Sequence, residues 1–364
     1  MNIIIFFIIL LILVLVHEFG HFFTAKRFGI RVDEFGFGFP PKLFGKKIGE
    51  TEYTFNLLPL GGFVKIFGED INEESESGED RSRSLINKPK WKQAIVLTGG
   101  VLANFILAWI LFSFSFMSGL PSSVSNAPEG YEIKDAELMI ISVITDSPAY
   151  TSGLKSGDKI TSVRISDEEL LEINSDTFKS FITENASKEI LIDYKRGKDD
   201  LIFTTSVSPS LVDGVPMIGV SLDEIGTLKL PFYIAFWEGL KLDAIVTKET
   251  VKGLYNLVID SIRGEGDMSQ ITGPVGMVGI VGDAYDYGFT YLLSFTALIS
   301  VNLAIINLIP FPALDGGRLL FLLIEKIKGS RLNPKFANTA NFVGFAILII
   351  LMLFVTYHDI LKMF

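Results

Sequence analysis

The sequence predicts a polytopic α-helical membrane protein with about four transmembrane helices, an inserted β-rich domain and a membrane-associated loop of β-hairpin character. Three observations predict it. Hydrophobic residues make up 49% of the 364 and mean hydropathy is +0.42, too apolar for an ordinary soluble chain of this length. The stretches Asn2 to Thr24, Ala94 to Ser118 and Tyr291 to Ile309 approach or reach the ~20 apolar residues that cross a bilayer, with Phe342 to Tyr357 a shorter fourth. Between the second and third, Leu138 to Val220 breaks into short runs of β-formers separated by turn residues.

Residues 1–25 form the first span, which lacks a basic leader and a small-residue cleavage site and therefore reads as retained. The loop 26–92 carries Lys26, Arg27, Arg31, Lys88, Lys90 and Lys92 near membrane ends, the mark of a cytoplasmic side. Within it, 34–67 alternates glycine and proline with aromatic and β-branched residues and reads as strands and turns. The stretch 69–83 is acidic and serine-rich, which predicts a mobile linker. After the second span, 93–118, the insert 119–228 holds the acidic clusters Asp167-Glu168-Glu169 and Asp199-Asp200, and its excess of acid places it outside, across the membrane. Its β-rich runs are Met139 to Ile144, Glu189 to Tyr194 and Leu201 to Val207, with one helix-like stretch around Phe178. Residues 229–288 turn helical. Phe232, Phe236, Leu240, Ile245, Leu254 and Val258 give apolar stripes that predict helices along a membrane face or against the β-rich domain. The third span, 289–328, ends in Arg318, Lys326 and Lys328, and the fourth, 338–358, returns the chain, leaving both termini outside.

Two function classes fall early. There is no cysteine, so thiolate ligands, cysteine nucleophiles and disulfides are excluded. The net charge is −10 and no basic stripe is present, so no nucleic-acid partner is expected.

Chemistry concentrates in His17-Glu18-Phe19-Gly20-His21, inside the first span. Helical residues four apart share a face, so the two imidazoles converge on one ion while Glu18 on the adjoining face reaches a water that the ion activates. With three histidines in the chain, random order yields this pattern on the order of once per thousand chains. Each ionisable group within a span also costs about 2.5–3.5 kcal/mol or more, which argues for a compensating ligand. A catalytic zinc takes three protein ligands. Cysteine is unavailable and the third histidine, His358, lies at the far terminus, so a carboxylate is the expected third ligand. Asp315 stands out in Asn307-Leu308-Ile309-Pro310-Phe311-Pro312-Ala313-Leu314-Asp315-Gly316-Gly317-Arg318. The prolines interrupt a helix, and Gly316 and Gly317 allow another helix to come close. A plain Asp-Gly-Gly turn at a membrane edge is the alternative reading.

These two motifs resemble those of the site-2 protease family, and in particular of its bacterial members that clip anti-sigma factors and remnant signal peptides. His17, Glu18 and His21 match the family's H-E-x-x-H; Asn307, Pro310, Pro312, Asp315 and Gly316 match its N-x-x-P-x-P-x-x-D-G. The resemblance covers essentially the whole chain. It implies Zn2+ on His17, His21 and Asp315, Glu18 as base, single-pass membrane proteins as substrates, and residence in a bacterial cytoplasmic (inner) membrane.

Substrate handling is read from three further places. A transmembrane substrate must be unwound and offered new backbone partners, and strand addition along 34–67, with Gly61, Gly62, Phe63 and Val64 in its last run, supplies them. This stretch resembles the family's membrane-re-entrant β loop, and a purely cytoplasmic hairpin is the alternative. The resemblance gives Asn307 a hold on substrate backbone near the metal, with Pro310 and Pro312 beside it, while Asn104 in Gly100-x-x-x-Asn104 is assigned to core packing; either amide also suits a plain interhelical hydrogen bond. Ser147-Pro148-Ala149 followed by Gly153-Leu154-Lys155-Ser156-Gly157-Asp158-Lys159-Ile160 looks like the turn, helix and strand start of a PDZ domain, expected to contact substrate and to filter it by size. A catalytically inactive PDZ-bearing membrane scaffold with a structural metal site is the competing reading. Retention of Glu18 speaks against it. A transporter is the third, and the chain has no internal repeat to support it.

Overall fold

Runs of apolar residues long enough to cross a bilayer become helices because an isolated helix pairs all its own backbone groups. The computed structural model describes residues 1–69, 78–166, 168–186, 188–197, 201–212, 215–264 and 272–361. The Asp199-Asp200 cluster, Asp167 and linker residues 70–77 lie outside these. Among the described residues four helices are long and apolar enough to cross a membrane: α1 (Asn2–Arg27), α2 (Lys90–Ser118), α7 (Phe289–Leu308) and α9 (Pro334–Leu361). Five further α-helices are described: α3 (Pro148–Thr151), α4 (Ser175–Glu184), α5 (Phe232–Arg263), α6 (Pro274–Tyr287) and α8 (Asp315–Lys328), the last following α7 after a proline-bearing break.

The chain divides into two units, one of residues 1–114 with 236–364 and one of 115–235. In the first, α1 is followed by two long strands, β1 (Val32–Ile48) and β2 (Thr51–Ile66), that fold back on themselves. Residues 34–37 pair with 62–65 on one side and with 52–55 on the other, while 52–56 also pair with 42–47. The run 62–66 is therefore an edge. It lies along α1, where a Cβ on Gly61 would meet Val14 and one on Gly62 would meet Leu15 at 2.8 Å. Of the stretch expected to be a mobile linker, Glu79–Arg83 is instead a short 3-10 helix, held by Arg31 Nη1 to Asp80 Oδ2 at 2.7 Å and by Arg83 to Glu50. Charged side chains at both ends of that turn find partners, which its composition alone does not reveal.

Helix α5 divides the anticipated stripe. Phe232, Ile245 and Val258 are exposed, whereas Leu254 packs, together with Leu242 and Val246, against Ala108, Phe112 and Val301 of α2 and α7. Trp109 Nε1 donates to Phe236 O at 2.7 Å, and Gly239 lets the helix touch Ser113. At the other end of this unit Asp359 of α9 accepts from Gly273 N at 3.1 Å and Gly276 N at 2.8 Å, satisfying first-turn amides of α6 that have no intrahelical partner.

The second unit carries a seven-stranded sheet of β3 (Leu120–Ser123), β4 (Lys134–Val143), β5 (Lys159–Ile165), β6 (Glu168–Glu169), β7 (Ile190–Lys195), β8 (Ile202–Val207) and, after a hairpin of β9 (Ser210–Val212) with β10 (Val215–Met217), β11 (Val220–Leu228). The order is β3-β11-β4-β5-β7-β8, with β6 on β5. Alternation along β7, and along β5 with a register irregularity between Ile160 and Ser162, turns Ile160, Val163, Ile190 and Ile192 inward onto Phe178, Phe181 and Ile182 of α4. The Gly157-Asp158 strand start acquires a physical role here. Asp158 is wholly buried, Arg196 clasps it at 2.6 and 2.7 Å, and it accepts Lys155 N at 2.8 Å.

Candidate metal centre

Helix α1 sorts its surface by period. Phe19 and Phe23 are exposed, whereas His17 and His21, one turn apart, are 7% and 6% exposed. Two polar rings buried in an apolar helix require partners. Small residues bring the first of these close: a Cβ on Gly20 would fall 2.2 Å from Gly99 O, so α1 and α2 touch backbone to backbone. His21 Nδ1 donates to Val96 O at 2.8 Å. Asn104, fully buried, places Nδ2 3.3 Å from His17 Nδ1.

The third approach comes from α8. After Leu308 the chain turns through Pro310 and Pro312, with Ala313 in the left-handed region at φ 76° and its N–H donated to Asn341 Oδ1 at 3.2 Å. Asp315 opens α8, where the helix dipole favours a carboxylate. Gly316 lets the end of α7 come close: a Cβ there would sit 2.2 Å from Ile309 O and 2.3 Å from Leu308 O, the last residue of that helix, while one on Gly317 would sit 2.2 Å from Phe311 O, so the pair admits the fold-back that aims Asp315. Another helix presses on this turn through Gly344, whose Cβ would meet Pro312 O at 2.5 Å.

His17 Nε2, His21 Nε2 and Asp315 Oδ2 thus converge from residues 298 apart in sequence. His17 to Asp315 is 3.0 Å, His21 to Asp315 3.2 Å and His17 to His21 3.2 Å. Two donors each ~2.05 Å from a tetrahedral ion stand about 3.3 Å apart, so the triangle has the size a zinc ion sets. The space beside it is kept open by Gly100, where a Cβ would fall 2.4 Å from His21 Nε2 and 2.8 Å from His17 Nε2. Two imidazoles and one carboxylate match zinc in donor type as well as in spacing.

Glu18 lies beside the triangle and accepts Val64 N–H of the edge strand at 3.0 Å. With His21, Phe63, Val64, Ala313, Asp315 and Arg318 it lines a pocket of about 240 Å³. Gly61, Gly62, Asn307, Pro310 and Pro312, also singled out from the sequence, are not among its walls. Asn307 is half-buried in the last turn of α7. Arg318, paired with Glu69, is a pocket residue that sequence reasoning used only as a marker of membrane side; its place one turn after Asp315 was the available signal. Val96 was missed as well, and Gly100 entered only as part of the Gly100-x-x-x-Asn104 pattern, without a role at the histidines. A backbone carbonyl is common to every residue, and a glycine's service to a distant histidine leaves no local trace.

Comparison with known proteins agrees in extent and kind. The model of peptidase family M50 matches residues 5–351. A Clostridium perfringens protein described as a zinc metalloprotease is 36% identical over 351 residues, covering 96% of this chain and 95% of its own. The regulator of sigma-W protease RasP of Bacillus subtilis is 31% identical, covering 100% of this chain and 99% of its own, and protease RseP of Yersinia pestis is 28% identical, covering 97% of each. Among solved structures, the PDZ domain of an SdrC-like protein from Listeria monocytogenes is 24% identical over 25% of this chain and 92% of its own, with a TM-score of 0.20. From a family match across nearly its whole length and full-length relatives above 30% identity, the chain belongs to peptidase family M50, the site-2 proteases, and is a zinc metalloprotease.

Proposed function

We propose that this protease cuts transmembrane segments of membrane-bound substrates, such as anti-sigma factors or remnant signal peptides, with His17, His21 and Asp315 holding Zn2+ and Glu18 as general base. One observation carries the reading: three donor atoms meet at metal-site spacing, two on the apolar first helix and the third at the start of α8, with a glutamate next to the first histidine. When bound, zinc polarises the scissile carbonyl and lowers the pKa of water toward about 7. Glu18 takes the proton of the attacking water and delivers it to the leaving amide nitrogen. Asp315 would compensate the positive charge of the ion. Substrate is held as an added strand along 62–66. Support comes from the edge position of that run and from its Val64 N–H, which faces Glu18 and not the neighbouring strand. The loop 26–92 faces the cytoplasm and the β-rich unit, with the PDZ-like pattern read in its sequence, lies on the other side, an arrangement supported by the basic flanks of the first two spans.

The test is to purify the full chain, count zinc per chain and follow cleavage of a membrane-embedded substrate. Glu18→Gln is expected to keep zinc and lose roughly 10²–10⁴-fold in rate, the usual worth of a positioned base; His17→Ala is expected to lose both. A Glu18→Gln protein that cleaves as fast as the parent defeats the reading. A scaffold with a structural metal would have no use for a carboxylate at that position.

A further inference from the structure

Helix α2 meets the two histidines along a single stripe. Val96, Gly100 and Asn104 are spaced by four and lie one above another on its face. Val96 O takes the Nδ1 proton of His21 at 2.8 Å, Gly100 faces both Nε2 atoms, and Asn104 faces Nδ1 of His17 at 3.3 Å. The level of Asn104 is fixed from its other side, since Ser300 Oγ of α7 donates to Asn104 O at 2.8 Å.

A neutral imidazole that offers its Nε2 lone pair to an ion carries its proton on Nδ1, and this N–H must find an acceptor. His21 has one in Val96 O. For His17 the group in range is the Asn104 amide. Its present orientation, with Nδ2 toward the ring, suits a His17 whose proton sits on Nε2 facing Asp315. The two ends of an amide have the same shape, and Asn104 Oδ1 has no hydrogen-bond partner among the described residues, so His17 alone decides which end faces it.

We infer that Asn104 is a positioning residue for the metal centre: with Nε2 of His17 committed to zinc, Asn104 Oδ1 accepts the Nδ1 proton, and α2 thereby fixes the tautomer and ring plane of both histidines, through Val96 O for one and Asn104 Oδ1 for the other. The inference rests on the proposed ligand set. It gives Asn104 a polar task in place of the packing role read from sequence. Removing such an outer partner typically weakens metal binding 10–100-fold.

The experiment titrates Zn2+ into the full-length protein in detergent against a competing chelator, for wild type, Asn104→Leu and Asn104→Asp. Leucine keeps the branched shape and removes the acceptor; aspartate keeps an acceptor at the same place. Asn104→Leu is expected to bind zinc 10–100-fold more weakly, and Asn104→Asp to stay within a few-fold of wild type. Equal affinity in wild type and Asn104→Leu overturns the inference. So does a loss in Asn104→Asp as large as in Asn104→Leu, or a loss above tenfold in Asn104→Asp alone if the leucine variant does not fold. A wild type that binds no zinc defeats the ligand set itself, whereas tight wild-type binding unaltered in Asn104→Leu defeats only the role given to Asn104.

Discussion

At the scale of single residues, the most consequential charge outside the metal centre is Asp158. Its side chain is wholly out of water, held by two bonds from the Arg196 guanidinium at 2.6 and 2.7 Å and by Lys155 N at 2.8 Å. Breaking a buried pair from one side costs ~3–5 kcal/mol, and Arg196, 35% exposed, regains water when its partner goes, so Asp158→Ala is expected at about 3 kcal/mol. Urea unfolding followed at a probe within 115–235 checks it; a loss under about 1 kcal/mol would show the clasp to be ornamental. The same residue marks the limit of sequence reading. Gly157-Asp158 is legible as a strand start, but nothing local points to an arginine 38 positions on. The histidines were legible because their spacing matches the helix period, and Asp315 because it follows two prolines at the end of an apolar run and matches a family motif. What fixes the rings and opens their cradle, Val96 O and Gly100, was not.

Between elements, contact is governed by how near two backbones can come. Gly20 and Gly99 put α1 against α2 with no side chain between them, and an added Cβ at Gly20 would stand 2.2 Å from a carbonyl oxygen that cannot swing away. Gly20→Ala must therefore separate the helices. The expected cost is ~1–3 kcal/mol from overpacking, together with weaker zinc binding, because His17 and His21 ride on one helix and Val96 and Asn104 on the other. Retained zinc affinity in Gly20→Ala would mean that the two helices are not held in register at this point. A second junction is electrostatic. Glu50, at the turn from β1 to β2, is bonded by Lys26 of α1 at 2.5 Å and by Arg83, and the Lys26 hydrogen bond, reinforced by Arg83, holds its carboxyl below the ordinary value of 4.5. A lowered folded-state pKa contributes stability above the unfolded value and loses it as pH falls below it. Glu50→Gln is thus expected to lower stability slightly at pH 7, by the ~0.2–1 kcal/mol of a half-exposed pair, and the difference in unfolding temperature from the parent should shrink as pH falls below 4.5. The helices themselves were legible from hydropathy, while the packing stripe of α5 was not: several candidate apolar stripes coexist on its 32 residues, and only the neighbours α2 and α7 select one.

For the whole molecule, the proposed metal centre would join the first helix of the chain to the helix that starts at Asp315, and all three donor atoms belong to one of the two units. Zinc that binds the folded site and not the unfolded chain adds RT ln(1 + [Zn]/Kd), ~4 kcal/mol at a thousandfold excess over Kd. At roughly 2–4 °C per kcal/mol for a unit of this size, chelation should lower its melting temperature by about 10 °C. The three tryptophans, Trp91, Trp109 and Trp237, all lie in that same unit, so their fluorescence follows its unfolding and leaves the β-rich unit silent. A tyrosine-weighted or amide-exchange probe within 115–235 should show no shift on chelation, because no donor atom resides there. In His17→Ala the tryptophan transition should already sit at the chelated value and ignore added chelator. If the tryptophan transition of the wild type ignores chelator too, or if both units shift together, then the stabilising ion is not the one held between α1 and α8.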